Sequence, residues 1–388
     1  MSSDRGFQSV LPIALAAAIL ANIMVSWTSR YWPVTVGITG ISLVVLAWAL
    51  SVRRITLPRE AILAIAIGIW GPMQILLHIS VLPSLTMQSS LVWIMGAIVF
   101  ILASQILCDS SGRRSFLRLI LWVVTALAVA AMLQAYTSPV RVFGIFPAEA
   151  SVVGTMNYKN YFAAMMELVA PIALWEVRNG KVLSGGLCYS AMFAATLTSA
   201  SRAGVIGILA ELLVFMALMV LERRLKASPA LAVVGVLALL VTGAGMIAGI
   251  DRTWSRMQES SPYHLREQLT LSTMDMIRER PGLGFGMGTW RSIYPRFARY
   301  DDALIANEAH NDLMEWASEG GIPFLLLMTS LVAWLGKRIF QSVWAIGLIA
   351  VFIHSYVDYP LRSSSLLFLW FAIAGAVTQF DARSQRRG

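Results

Sequence analysis

The stretch LSGGLCYSAMFAATLTSASRAGVIGILAELLVFMALMVL (residues 183–221) holds two apolar runs on either side of a short polar turn, and its charged side chains are Arg202 and Glu211 alone. A spanning helix needs roughly 20 mostly apolar residues. Runs 183–199 and 203–221 fit two such helices back to back, with the turn at a membrane face. Working outward, comparable runs fall at 7–27, 33–52, 60–80, 88–107, 115–135, 158–177, 230–250, 318–336, 339–357 and 363–380. The first is too long for a signal-peptide apolar region, and no A-x-A site follows, so it reads as a span. The expectation is an all-α integral membrane protein of about twelve transmembrane helices with one long helical outer segment. Residues 1–250 hold spans one to nine, 251–317 the outer segment, and 318–388 the last three spans and a tail.

Composition agrees. Hydrophobic residues make up 57% of the 388 and charged ones only 13%, with mean hydropathy +0.70. A soluble domain carries about 25% charged residues, so soluble, disordered, collagen-like and disulfide-scaffold classes are excluded. The two cysteines, Cys108 and Cys188, read as small apolar fillers. A net charge of +9 invites a nucleic-acid reading, but cytoplasmic loops that fix orientation account for it better. With the N-terminus in the cytoplasm, inside loops carry Arg53, Arg54 and Arg59, then Arg113, Arg114 and Arg118, then Arg178 and Lys181. Arg223, Arg224 and Lys226, Lys337 and Arg338, and Arg383, Arg386 and Arg387 complete the series. Both termini are expected in the cytoplasm.

Basic residues on the outer side need another reason. Few sit in short loops: Arg30, Arg141, Lys159, Arg202 and Arg362. Most cluster between Asp251 and Ala303, as Arg252, Arg256, Arg266, Arg278, Arg280, Arg291, Arg296 and Arg299. They form either a face touching lipid head groups or a site for an anionic ligand. Ser261-Pro262 can start a helix there, with Leu265, Leu269 and Met276 at helical spacing, and Pro281-Gly282 stops it. The following Gly282-Leu283-Gly284-Phe285-Gly286-Met287-Gly288 lets backbone approach something closely, but it follows no strand of a βαβ unit. A dinucleotide fingerprint is therefore rejected.

Next comes Asn307-Glu308-Ala309-His310-Asn311-Asp312-Leu313-Met314-Glu315-Trp316, leading into a span through Glu319-Gly320-Gly321-Ile322-Pro323. Asn311, Glu315 and Glu319 stack on one helix face. Together with Arg266, Pro281 and Gly284-x-Gly286-x-Gly288, these elements resemble the bacterial O-antigen ligase and polymerase family. Gly154–Ala163, with Asn157 and Lys159, resembles that family's polar entry to a middle span. Ser199-Ala200-Ser201-Arg202-Ala203-Gly204 is similar to its Ser-Arg turn, and His354–Leu361 to the close of its penultimate span. The resemblance runs in order from about 154 to 361, departing where Thr270 replaces a usual aromatic.

The resemblance implies metal-independent, cofactor-free glycosyl transfer on the periplasmic face of the bacterial inner membrane. The implied donor is a glycan on undecaprenyl diphosphate; the acceptor is lipid A-core for a ligase or another lipid-linked glycan for a polymerase. His310 is then the general base, and Arg202 and Arg266 grip the diphosphate. Arg278, Arg291, Asn157, Lys159, Asn311, Trp290 and Tyr294 are the expected substrate-binding residues. Trp290, Tyr294 and Tyr300 either stack on sugars or pack a lid. Asp301-Asp302 is not a D-x-D pattern, and no metal site is expected.

Other polar residues have structural readings. His354 and Asp358 share a helix face and either orient Arg362 or His310 or pair with each other. Glu167 and Glu211 lie within spans and need a helix-to-helix partner or a cavity; Gln74 and His78 in the third span read the same way. Intramembrane carboxylates also suit a transporter or flippase, but such sites lie near the midplane in repeated halves. A non-catalytic scaffold leaves Arg202, Arg266 and His310 without purpose.

Overall fold

The computed structural model describes residues 2–28, 31–51, 55–149, 152–222, 264–299 and 306–378. Helices α1 (Ser2–Val25) and α2 (Tyr31–Ser51) pack together, as do α3 (Ala61–Leu76) and α4 (Pro83–Ile106). Asp109 caps α5 (Ser110–Thr137), accepting from the Ser111 and Gly112 amides at 2.8 and 3.1 Å. A hairpin of β1 (Arg141–Val142) and β2 (Phe146–Pro147) leads to α6 (Lys159–Arg178), then α7 (Val182–Ser199) and α8 (Arg202–Leu221). Beyond them lie α9 (His264–Glu279), the short α10 (Trp290–Ile293), α11 (Asp312–Gly336), α12 (Ala345–His354) and α13 (Ser364–Val377).

Six of these helices are long and apolar enough to cross a membrane, and several more are apolar but shorter. The expected span 339–357 holds only the ten residues of α12; a helix stands at every other expected span but 230–250, and that one lies outside the described residues. So do Arg252, Arg256, Ser261-Pro262, Tyr300, Asp301-Asp302 and the basic groups Arg30, Arg53, Arg54, Arg223, Arg224, Lys226, Arg383, Arg386 and Arg387. The tenth expected span begins earlier than its apolar run, at Asp312 instead of 318. Asn311 decides this: its side chain caps the Met314 amide at 3.1 Å, and Asp312 and Glu315 suit the first turn. Cys188 is buried as expected, whereas Cys108 is exposed between α4 and α5 and is no core filler.

Helix α6 forms the axis of the bundle. It is buried almost all round, against α7, α8, α5 and α12, which explains how it carries Asn160, Glu167 and Glu176 with protein rather than lipid about them. A second, small apolar cluster of Leu269, Met276, Phe285, Trp290 and Ala309 lies beneath α9. Leu269 and Met276 of α9 thus pack a satellite core, as their helical spacing predicts.

The glycine run has a structural explanation. Helix α11 breaks at Gly321 (φ 77°, ψ 172°), and the run docks on that break. Phe285 and Gly286 amides donate to the Ser318 and Glu319 carbonyls at 3.0 and 2.9 Å, and the Ile322 amide donates to Pro281 O at 2.8 Å. A Cβ on Gly284 (φ +66°) would overlap the Glu319 carbonyl. Gln74 of α3 locks the joint: its amide donates to Leu283 O (2.6 Å) and Glu319 O (2.8 Å), and its oxygen accepts from the Met287 amide (3.0 Å). Gln74 therefore has the partner on another helix that its place in a span calls for, the backbone of α11, and bonds the loop as well.

Candidate functional site

The end of the bundle where α6, α8 and α11 begin gathers most of the polar residues. At the α7–α8 turn, Ala200 takes a left-handed conformation (φ 53°) and Ser201 Oγ accepts from the Gly204 amide at 3.3 Å. One helix is thereby ended and the next started within a few residues, so Arg202 is the first residue of α8. Gly204 lies on Ala163 in the first turn and a half of α6, placing Arg202 at the same end as Asn160.

His310 immediately precedes the Asn311 cap and has φ 52°, a conformation costing roughly 1–2 kcal/mol for a non-glycine residue. Its ring meets Tyr359 edge-on at 4.9 Å between centroids. Nδ1 stands 3.9 Å from Asp358 Oδ1, outside hydrogen-bond reach but close enough for electrostatic coupling. Tyr359 stacks in turn on Tyr158 at 5.4 Å and meets Tyr161 edge-on, building an aromatic wall beside the imidazole.

Asp358 is the hub. Its carboxylate, 2% exposed, takes Arg266 Nη2 at 3.2 Å, the Asn160 side-chain amide and the Tyr359 backbone amide at 3.0 Å. Arg266 also donates to Val357 O at 2.8 Å. Burial opposes ionisation of Asp358, but the His310 side chain and the Arg266 charge outweigh it and hold the carboxyl below the ordinary range. Asp312 ties the same turn to α11, accepting from Ser355 Oγ and the Leu361 amide at 3.0 Å each.

A second ionic group adjoins it. Arg362 binds Glu315 and lies 3.9 Å from Glu319, both carboxylates being buried. Glu315 also accepts from the Ala309 amide at 3.1 Å, and Glu319 from the Trp290 amide at 2.8 Å. Thus one arginine joins the approach to His310 to the break in α11. Burial raises the Glu308 carboxyl, partly offset by Arg362, His310 and Arg291. Among the described residues, no group of three or more His, Cys, Asp or Glu side chains is placed to hold a metal ion.

The structure brings together His310, Arg266 and Asn311, with Arg291 near Glu308. Arg278 instead turns to Asp275 at 3.1 Å on an exposed face, which Arg299 also binds. Trp290 is fully buried, with its indole N–H on Thr273 Oγ1 at 3.0 Å and its ring stacked on Tyr294 at 4.7 Å. In this conformation the indole packs the satellite core and presents no face to a sugar. Asn157 is exposed and Lys159 half-buried at the start of α6. His354 does not pair with Asp358; its Nδ1 meets Glu167 at 2.8 Å, giving Glu167 the partner it needs on another helix. Glu211 is buried in α8 with both carboxylate oxygens unpartnered among the described residues.

Sequence reasoning passed over Asn160, Tyr359, Glu308 and the Arg362–Glu315 pair. Asn160 had a signal: with Ala163, Ala164 and Glu167 it lies on one helical stripe, whereas the chosen Asn157 precedes the helix. Partners of Arg362 lie more than forty residues away along the chain, so no local spacing reveals them.

A bundle of apolar helices with a buried ionic cluster at one end defines a multi-pass membrane protein. Residues 187–329 match the family model described as O-antigen ligase, which supports the resemblance to the O-antigen ligase/polymerase family carried by the motifs. That segment includes Arg202, Arg266 and His310 and ends before Asp358 and Arg362. No curated protein matches the sequence.

Proposed function

We propose that the chain is an inverting, metal-independent glycosyltransferase that moves a glycan from undecaprenyl diphosphate to lipid A-core on the periplasmic face of the bacterial inner membrane. The observation that carries this reading is the meeting of His310, Asp358 and Arg266 at the end of the bundle where Arg202 opens α8. A carboxylate facing Nδ1 favours the tautomer that keeps its proton there and leaves Nε2 as a base. Nε2 of His310 takes the acceptor hydroxyl proton as that oxygen attacks the anomeric carbon. The bond from this carbon to the diphosphate oxygen breaks, and the diphosphate departs with the electron pair. Arg202 and Arg266 hold its phosphates and offset the growing charge. Asp358 is a positioning residue, since it touches the base and not the substrate.

Arg291, beside Glu308, adds a cation at this end, and Asn157 and Lys159 at the start of α6 meet the glycan, whereas Asn311 keeps to its cap and Tyr294 stays stacked on Trp290. Arg278 and Trp290 join the substrate only if the segment over the satellite core rearranges. The polymerase reading uses the same site with a lipid-linked glycan as acceptor. Purified protein reconstituted with undecaprenyl-diphosphate-linked glycan, with and without lipid A-core, separates the two. Transfer that requires lipid A-core supports the ligase, and longer lipid-linked chains from donor alone support the polymerase. His310→Ala lowers the rate by about 10²–10⁴ if it is the base; undiminished transfer overturns that role.

A further inference from the structure

The opposite end of α6 carries a polar feature of its own. Between α5, α6 and α7 lies a cavity of about 220 Å³ lined by Arg118, Trp122, Glu176, Lys181, Ser184 and Cys188, among others. Asn160 and Glu176 are sixteen residues apart in α6, so about 24 Å of helix separates this cavity from the Asp358 cluster.

Glu176 is 6% exposed and binds two cations from different elements, Arg118 Nε at 2.8 Å and Lys181 Nζ at 2.9 Å. Both cations keep nearly half of their side-chain surface open. Two cations on one carboxylate leave one positive charge in surplus. Leu121 and the exposed Trp122 of α5 line the cavity beside this floor, and Leu183 and Leu187, next in sequence to the lining Ser184 and Cys188, are exposed on α7. A cationic floor with an apolar rim suits an amphiphile, its anion on the cations and its chains along the helices. Tryptophan at the rim belongs at the interface depth where headgroups lie. A soluble anion gains nothing from Leu183 and Leu187.

We infer that this cavity holds the phosphodiester headgroup of an anionic glycerophospholipid. Arg118 and Lys181 are its cations, and Glu176 is the competing anion that sets its affinity. The site is remote from the proposed chemistry and does not depend on it.

Native mass spectrometry of the purified protein with phosphatidylglycerol or phosphatidylcholine tests this. Phosphatidylglycerol is retained in preference to phosphatidylcholine, and Arg118→Gln and Lys181→Gln each weaken retention about fivefold. Glu176→Gln strengthens it by a similar factor, because the competitor is removed while both cations stay. That opposite sign is the decisive readout, since a merely structural ion triad leaves lipid retention the same in all three variants. Equal retention of the two lipids, or unchanged retention in the Arg118→Gln/Lys181→Gln double variant, overturns the inference. So does inorganic phosphate that displaces phosphatidylglycerol at equal concentration, which marks a site for the free anion. Glycan transfer is not part of this readout, so its failure leaves the glycosyltransferase reading intact.

Discussion

Replacing Asp358 by Asn keeps the shape of the side chain and removes its charge. Whichever way the new amide turns, it sets donors against donors: on the Oδ2 side it faces Asn160 Nδ2 and Arg266 Nη2, and on the Oδ1 side the Tyr359 amide and His310 Nδ1. A buried hydrogen bond to a charged group is worth about 1.5–3 kcal/mol. The Arg266 side chain is 30% exposed, so water partly screens it, and the full cost of breaking a buried ion pair is not reached. The expected loss is about 2–3 kcal/mol in thermal or denaturant unfolding in lipid nanodiscs. The Asp358 carboxyl is depressed in the folded state, so its contribution is complete above the ordinary carboxylate pKa near 3.9 and disappears as pH falls through the folded value. The gap between wild type and Asp358→Asn is therefore flat through neutral pH and narrows only in strong acid. Transfer falls by about 10²-fold because the imidazole loses the group that orients it. If Asp358 acts through His310, adding Asp358→Asn to His310→Ala costs little more. Full transfer by Asp358→Asn, or losses that multiply in the double variant, refutes the argument.

Gly284→Ala forces a left-handed alanine and a Cβ onto the Glu319 carbonyl, and it lowers stability by at least about 2 kcal/mol; an unchanged melting temperature contradicts the docking of the glycine run on α11. Arg362→Met strands Glu315 and Glu319 and costs about 3 kcal/mol. Adding Glu315→Gln restores part of that, and no restoration would show that the pair is not what Arg362 serves. Burial raises the Glu308 carboxyl, so its ionisation costs stability once pH exceeds the ordinary carboxylate range. Glu308→Gln is accordingly more stable than wild type at pH 8, with the difference vanishing towards pH 4; a difference that grows on acidification refutes this.

Much of the architecture is legible in the chain because a bilayer imposes a simple rule. Any segment that crosses it must be apolar for about 20 residues and satisfy its own backbone. That rule is local, so the span pattern, the short Arg202 turn and the apolar face of α9 follow from spacing alone. Helix ends depart from it where a single cap decides, as Asn311 does by starting α11 before the apolar run.

His310, Arg202 and Arg266 stand out in the sequence as chemistry-bearing residues in an apolar chain, and their order along it points to a family. Who faces whom is a different kind of fact. Spacing leaves Asp358 open as a partner of His354 one turn away or as a group that orients His310 or Arg362; in the bundle His354 goes to Glu167, and Asp358 faces His310 and binds Arg266 and Asn160. The glycine run promised a close approach, but only the packed structure reveals that what approaches is the broken backbone of α11, held by Gln74. Trp290, a plausible sugar platform by its neighbours, is buried because Thr273 and Tyr294 take its edge and face. Periodicity and hydropathy are set within a few turns of one helix, so the sequence alone determines them. Pairing of buried charges depends on which helices meet and at what height, and those distances exist only once the bundle has formed.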